Sequence, residues 1–183
     1  MNDRHLPTMV MDNFIRRLIS PPKKKILKFV LPGAVAADLG CGPGYFTIPM
    51  AEIVGERGRV YAVDSDTKSI KKLREKMDVN SQKIIDSHIA SAANLDGIPD
   101  ATVDFVFASG LLCCMSDHSG AVAEIKRILK PTGFAYLSVT KVYRKNDLRA
   151  VRQEEWNHIL RGFEVREMHE NILNRWAVVS LLR

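Results

Sequence analysis

Cysteine is scarce: the 183 residues hold three, Cys41, Cys113 and Cys114, an odd number with two side by side. That excludes a disulfide framework and fits a reducing compartment, so a cytoplasmic location is expected. Long hydrophobic runs are lacking as well. No stretch approaches the roughly 18 uninterrupted apolar residues of a transmembrane helix. The opening residues, MNDRHLPTMVMDNFIRR, lack the apolar stretch of a secretory signal. There is no internal repeat, no low-complexity segment and no C-x-x-C pair for a metal. What remains is an ordinary globular composition, 46% apolar and 26% charged, long enough for one domain over 1–183 with a real core. Net charge is +6 and the pI is near 9.3. The basic residues are spread over 23–25, 68–76, 126–130 and 141–152, as on a solvated surface. Nucleic acid is therefore permitted as a partner but not favoured.

The apolar spacing alternates between helix and strand. Residues 8–19 have helical spacing, and SPPKKKILKFVLPG reads as a second helix stopping at Pro32-Gly33. AVAADL (34–39) predicts a buried strand, YFTIPMAEIVG a helix ending at Gly55, and GRVYAVD (58–64) a second strand ending on an acid. TKSIKKLREKM is a helix with a solvated basic face, and IIDSHIA (84–90) a third strand. A turn-rich loop over 91–102 leads to VDFVFAS (103–109), a fourth strand. SGAVAEIKRILKPTG predicts a capped helix ended by Pro131 and Gly133, and FAYLSVT (134–140) a fifth strand. DLRAVRQEEWNHILRG (147–162) is a helix, and FEVREMHEN and RWAVVSLLR close the chain as two strands. This order predicts an α/β fold: a Rossmann-like, doubly wound, seven-stranded sheet, mostly parallel, with an antiparallel strand from the C-terminal hairpin. Ligands of such sheets bind beyond the carboxyl ends of the strands, where the first turn, GCGPG, lies.

That turn is not a dinucleotide fingerprint. G-x-G-x-x-G counted from Gly40 puts Tyr45 at the third glycine position, and no Gly-Lys-Ser/Thr follows for a Walker loop. Asp38, two residues before Gly40, would repel pyrophosphate at a site built from backbone N–H groups. The same carboxylate suits an ammonium or sulfonium. Gly40, Gly42 and Gly44 let a ligand lie against the backbone, and the helix N-terminus can hold a carboxylate. Asp64, ending the second strand, can accept from two ribose hydroxyls. A nucleoside joined to a cationic amino acid meets all these demands, which describes S-adenosylmethionine.

AADLGCGPGYFT resembles motif I of class I S-adenosylmethionine-dependent methyltransferases. VYAVDSD is similar to their second motif, and ASAANLDGIPDATVDFVFAS to the third and fourth. AVAEIKRILKPTGFAYLS resembles the unit that follows in the subgroup of ubiquinone- and menaquinone-pathway methyltransferases. The resemblance covers about residues 30–183. It implies that Asp38, Gly40, Cys41, Gly42 and Gly44 line the methionine end, that Asp64 binds the ribose, and that Ser65 lies beside the adenine. Many members carry an acid at the third motif; Ser91 and Ala92 stand there in this chain, so contact to the base would come from the Ser91 hydroxyl or the Ala92 N–H. Ser109 and Gly110 would sit beside the methyl group.

The motifs name no general base. Asp117 and His118 are candidates, although Asp117 or Ser119 is expected to cap the following helix, with His118 exposed. Lys141 follows the fifth strand, as in RNA 2′-hydroxyl methyltransferases, but the acid those enzymes need at the fourth strand's end is replaced by Ala108-Ser109. The Asn-Pro-Pro-Tyr signature of exocyclic-amine methylation is absent, SGLLC occupying its place. His88 is expected to be structural. Cys113 and Cys114 are expected to pack, a thiophilic-substrate role being the sharper alternative. The expected function is methyl transfer to a small or medium-sized acceptor, with the N-terminal helices over 8–30 as a lid, 31–183 as the cofactor-binding core, and S-adenosylhomocysteine as product. An RNA or protein acceptor is the alternative, a non-catalytic cofactor-binding partner subunit a further one. A homodimer is compatible with the sequence, and no resident metal is expected.

Overall fold

The computed structural model describes residues 28–141 and 151–182. The expected helices over 8–30 therefore lie outside the described residues up to position 27, as do residues 142–150. Lys28 to Gly33 form turns, so the second helix does not run on to Pro32-Gly33 as expected. Pro32 disfavours helical backbone at the residue before it, and Gly33 takes φ +79°. Seven strands form one sheet in the order β3-β2-β1-β4-β5-β7-β6. Packing divides the chain into two compact units, one within His5–Ser91 and the other within Ala92–Arg183. No described helix is long and apolar enough to cross a membrane.

The first unit alternates β1 (Val35–Leu39), α1 (Thr47–Val54), β2 (Arg59–Asp64), α2 (Thr67–Lys76), α3 (Val79–Ile84) and β3 (Ile85–Ile89). β1 pairs parallel with β2, Asp38 opposite Ala62, and β2 pairs parallel with β3. Ala36, Ala37 and Leu39 are fully buried, as expected of a central parallel strand covered on both faces. Both later helices begin on an aspartate. Asp66 accepts from the Lys68 and Ser69 N–H groups, and Asp78 from that of Ser81. In α2, Ile70 and Leu73 are buried while Lys71 and Glu75 form a solvated pair 3.9 Å apart. The short α3 is an addition to the sequence reading; six residues are too few for a periodic signal.

The second unit holds β4 (Val103–Ser109), a 3₁₀ turn (Leu112–Cys114), α4 (His118–Ile128), β5 (Leu129–Thr140), α5 (Gln153–Leu160), β6 (Glu164–Glu170) and β7 (Asn174–Ser180). β4 and β5 are parallel, whereas β7 runs antiparallel to both β5 and β6, as the expected hairpin requires. β5 starts earlier than expected. Leu129 pairs with Val103 and Phe134 with Phe105, so the stretch containing Pro131 and Gly133 bulges out between two paired positions. A Cβ on Gly133 would lie 2.9 Å from the Val103 carbonyl oxygen, so that close approach needs glycine. The 91–102 loop is fastened to α4 by Arg127. Its guanidinium donates to the Leu95 and Ile98 carbonyls at 2.9 and 2.8 Å and to Glu124 and Asp100. On the sheet, Phe107 stacks on Tyr136 at 5.0 Å, Tyr136 on Trp176 at 5.5 Å, and Trp176 on His169 at 5.8 Å.

Candidate functional site

The turn after β1 is held by the end of β2. The Gly40 and Cys41 N–H groups both donate to the Val63 carbonyl, at 2.8 and 3.0 Å. The Gly42 N–H donates to Asp64 Oδ2 at 2.8 Å, and the other Asp64 oxygen accepts from the Asp66 N–H at 2.8 Å. Asp64 therefore ties the glycine turn to its own strand end. Gly40, Gly42 and Gly44 have φ of +73°, +54° and +88°, a region that side chains disfavour. Gly44 has a second reason: a Cβ there would lie 2.5 Å from Leu73 Cδ1. Lys76 reaches back from α2 to the Pro43 carbonyl at 3.0 Å.

Beneath this turn lies Asp38, 3% exposed. Its Oδ2 accepts from Thr47 Oγ1 at 2.6 Å, and Thr47 is fully buried at the first position of α1. Burial pushes the Asp38 carboxyl up to about 7; the Thr47 hydrogen bond works the other way, and the charge of Asp64 adds to the rise. Among the described residues no cation pairs with it. Cys41 is buried, and desolvation first, then Asp38 and Asp64, holds its thiol well above the usual range. It is a neutral thiol donating weakly to the Gly42 carbonyl. Thr47 was not singled out from the sequence; a hydroxyl opening the helix that follows an acid-glycine turn is the signal for it. Ser65 is exposed at the end of β2 and Ser91 is half-buried after β3, while Ala92 is buried. The Ala90 N–H bonds the Asp64 carbonyl at 3.2 Å, which brings the end of β3 to that of β2.

In the second unit, Ser109 Oγ lies 3.1 Å from Ser138 Oγ, and the Gly110 N–H donates to the Ser138 carbonyl at 2.8 Å. Gly110 has φ +73° and open space where a Cβ would be. Tyr136, buried nearby on β5, is pushed up to about 12 chiefly by burial, so its hydroxyl stays neutral. Asp117 caps α4, its Oδ1 accepting from the Gly120 N–H at 2.8 Å. His118, expected at the surface, is instead only 8% exposed. Its Nε2 lies 2.8 and 3.0 Å from the carbonyls of Leu112 and Met115, and its Nδ1 3.0 Å from Glu155. Carbonyl oxygens only accept, so Nε2 carries the hydrogen. The ring thus fastens the 3₁₀ turn to α4 and α5. Cys113 in that turn donates to the Gly110 carbonyl at 3.2 Å. Lys141 bonds Glu170 at 2.6 Å and the Asn171 carbonyl at 3.0 Å. His88, on β3, lies 3.0 Å from Asp86.

A family profile described as "Methyltransferase domain" matches residues 37–137, more than half of the chain. The chain belongs to the class I S-adenosylmethionine-dependent methyltransferase family. Demethylmenaquinone methyltransferase of Bacillus cereus is 31% identical over 104 residues, 57% of this chain and 44% of that protein. Trans-aconitate 2-methyltransferase of an Azoarcus species is 28% identical over 120 residues, 66% of this chain and 44% of that one. The chain thus matches less than half the length of these curated relatives. A SAM-dependent methyltransferase from Aquifex aeolicus has the same fold, with a TM-score of 0.81 at 23% identity over 96% of this chain and 97% of the other. The family match runs from Ala37 to Leu137, and so takes in Asp38, the glycine turn, Asp64 and Ser109-Gly110.

Proposed function

We propose that the chain is an S-adenosylmethionine-dependent methyltransferase acting on a small or medium-sized acceptor. The observation that carries this is Asp38, a buried carboxyl beneath a glycine turn, pushed to about 7 and without a described cation beside it. A ligand bearing an ammonium or a sulfonium supplies the missing charge; an anionic pyrophosphate would raise the cost further. The residues therefore fit the cofactor. Gly40, Gly42 and Gly44 would offer backbone to its amino-acid end, with Asp38 and Thr47 below. Asp64 accepts from the Gly42 and Asp66 N–H groups, and the same carboxylate would accept from the ribose hydroxyls. When bound, the cofactor supplies an electrophilic methyl group on sulfur. The chain's own contribution is to orient: Ser109 and Gly110 would face the acceptor, and proximity and alignment account for much of the acceleration. A small acceptor is supported by the similarity to a demethylmenaquinone methyltransferase and a trans-aconitate 2-methyltransferase.

Calorimetry with S-adenosylmethionine tests the site directly. Asp64→Ala is expected to weaken binding at least tenfold, since it removes the ribose acceptor and releases the Gly42 N–H. Unchanged affinity in that variant would overturn the assignment. Transfer of a labelled methyl group from the cofactor to carboxylic-acid and quinol acceptors tests the acceptor class.

A further inference from the structure

Arg175 lies at the second position of β7 and is only 5% exposed. Its Nε and Nη1 are buried and, among the described residues, have no hydrogen-bond partner. Its Nη2 lies 3.6 Å from Glu170 Oε1, an oxygen that already takes Lys141 Nζ at 2.6 Å. Among the described residues, one carboxylate therefore serves two cations, and a single positive charge is left over. A guanidinium cannot shed its proton to escape burial as a lysine or histidine can. A charge held this way calls for an anion.

The strand register says where that anion would lie. Ser109 pairs with Ser138, and Ser138 with Trp176. Arg175 is the next residue of β7, opposite Val139, so it sits one step past this row, toward the carboxyl ends of β4 and β5. Two strand spacings, about 10 Å, separate it from the Ser109-Gly110 end of β4. That is the reach of a small acceptor molecule with its reacting atom near Gly110.

We propose that Arg175, with Lys141 beside it, is a carboxylate-binding subsite, and that the acceptor of this enzyme is an organic acid. A single surplus positive charge matches a carboxylate rather than a doubly charged phosphate. The word acceptor rests on the methyltransferase reading; the anion site does not. Glu170 holds Lys141 and Arg175 on one face of the hairpin, so the acid enters a frame already set.

The test is thermal melting of the full chain at matched ionic strength in chloride, benzoate, trans-aconitate and the neutral benzamide, for wild type and Arg175→Met. Benzoate or trans-aconitate is expected to raise the wild-type melting temperature by about 3 °C near saturation, with no rise from benzamide and none in the variant. In chloride alone, Arg175→Met is expected to melt at or above the wild-type temperature, because it removes a buried charge whose one carboxylate partner is shared with Lys141. The proposal is overturned if the variant melts well below wild type in chloride, if the carboxylates shift both proteins alike, or if they shift neither. Calorimetry with S-adenosylmethionine on the same two proteins separates the readings. Carboxylate stabilisation without cofactor binding would remove the methyltransferase reading and leave the anion site standing.

Discussion

A carboxyl group pushed from 3.8 to about 7 makes Asp38 sensitive to pH in the physiological range. Its folded value lies above its unfolded one, so the stability it contributes is fully present below pH 4. That contribution is lost as pH rises through 7. At about 1.4 kcal/mol per unit, the loss is of order 4 kcal/mol. The ligand-free protein is therefore expected to melt at progressively lower temperature from pH 5 to pH 8, and Asp38→Asn to flatten that slope. Cofactor binding has the opposite sign: affinity for the cationic end should rise through pH 7 in wild type and not in the variant. Parallel pH profiles for the two proteins would sink the argument. Asp38, Asp64 and the three glycines were legible in the sequence because they fall within one turn and one strand end. Thr47 and Arg175 were not. A threonine opening a helix is commonplace, and the orphaned donors of Arg175 become visible only once Glu170 is seen to be shared with Lys141.

Among the elements, α4 shows where local reading succeeds and where it stops. Asp117 or Ser119 was expected to cap this helix and Asp117 does, because a cap is decided within three residues. The burial of His118 was not legible, because Glu155 is 37 residues away in sequence. His118→Ala would leave the Leu112 and Met115 carbonyls without their donor in a buried place, at a cost of about 1–3 kcal/mol. The expected result is a melting temperature several degrees lower, with proteolysis in the 110–115 turn appearing first. A variant that melts like wild type would show that the ring fastens nothing. The start of β5 was misjudged for a related reason. Pro131 and Gly133 do end α4, but the chain pairs with β4 before its bulge, and only the partner strand reveals that.

At the scale of the whole molecule, the alternation of strands and helices was enough to give the sheet, because parallel strands need crossovers and a hairpin does not. The surplus of six positive charges is spread and belongs to no one element. Binding to RNA at low salt is therefore expected to be weak and to vanish by physiological salt, without a preferred sequence. Tight, sequence-selective binding that survives physiological salt would move the acceptor from organic acids to RNA. The aromatic stack on the sheet has one more consequence. The chain has two tryptophans. Trp156 is sealed inside α5 at 1% exposure, while Trp176 is half-buried, stacked between Tyr136 and His169 and next in sequence to Arg175. The two indoles thus emit from different surroundings, one dry and one in reach of a dissolved quencher. The colour of the protein's own fluorescence separates the state of its interior from the state of the strand that carries Arg175.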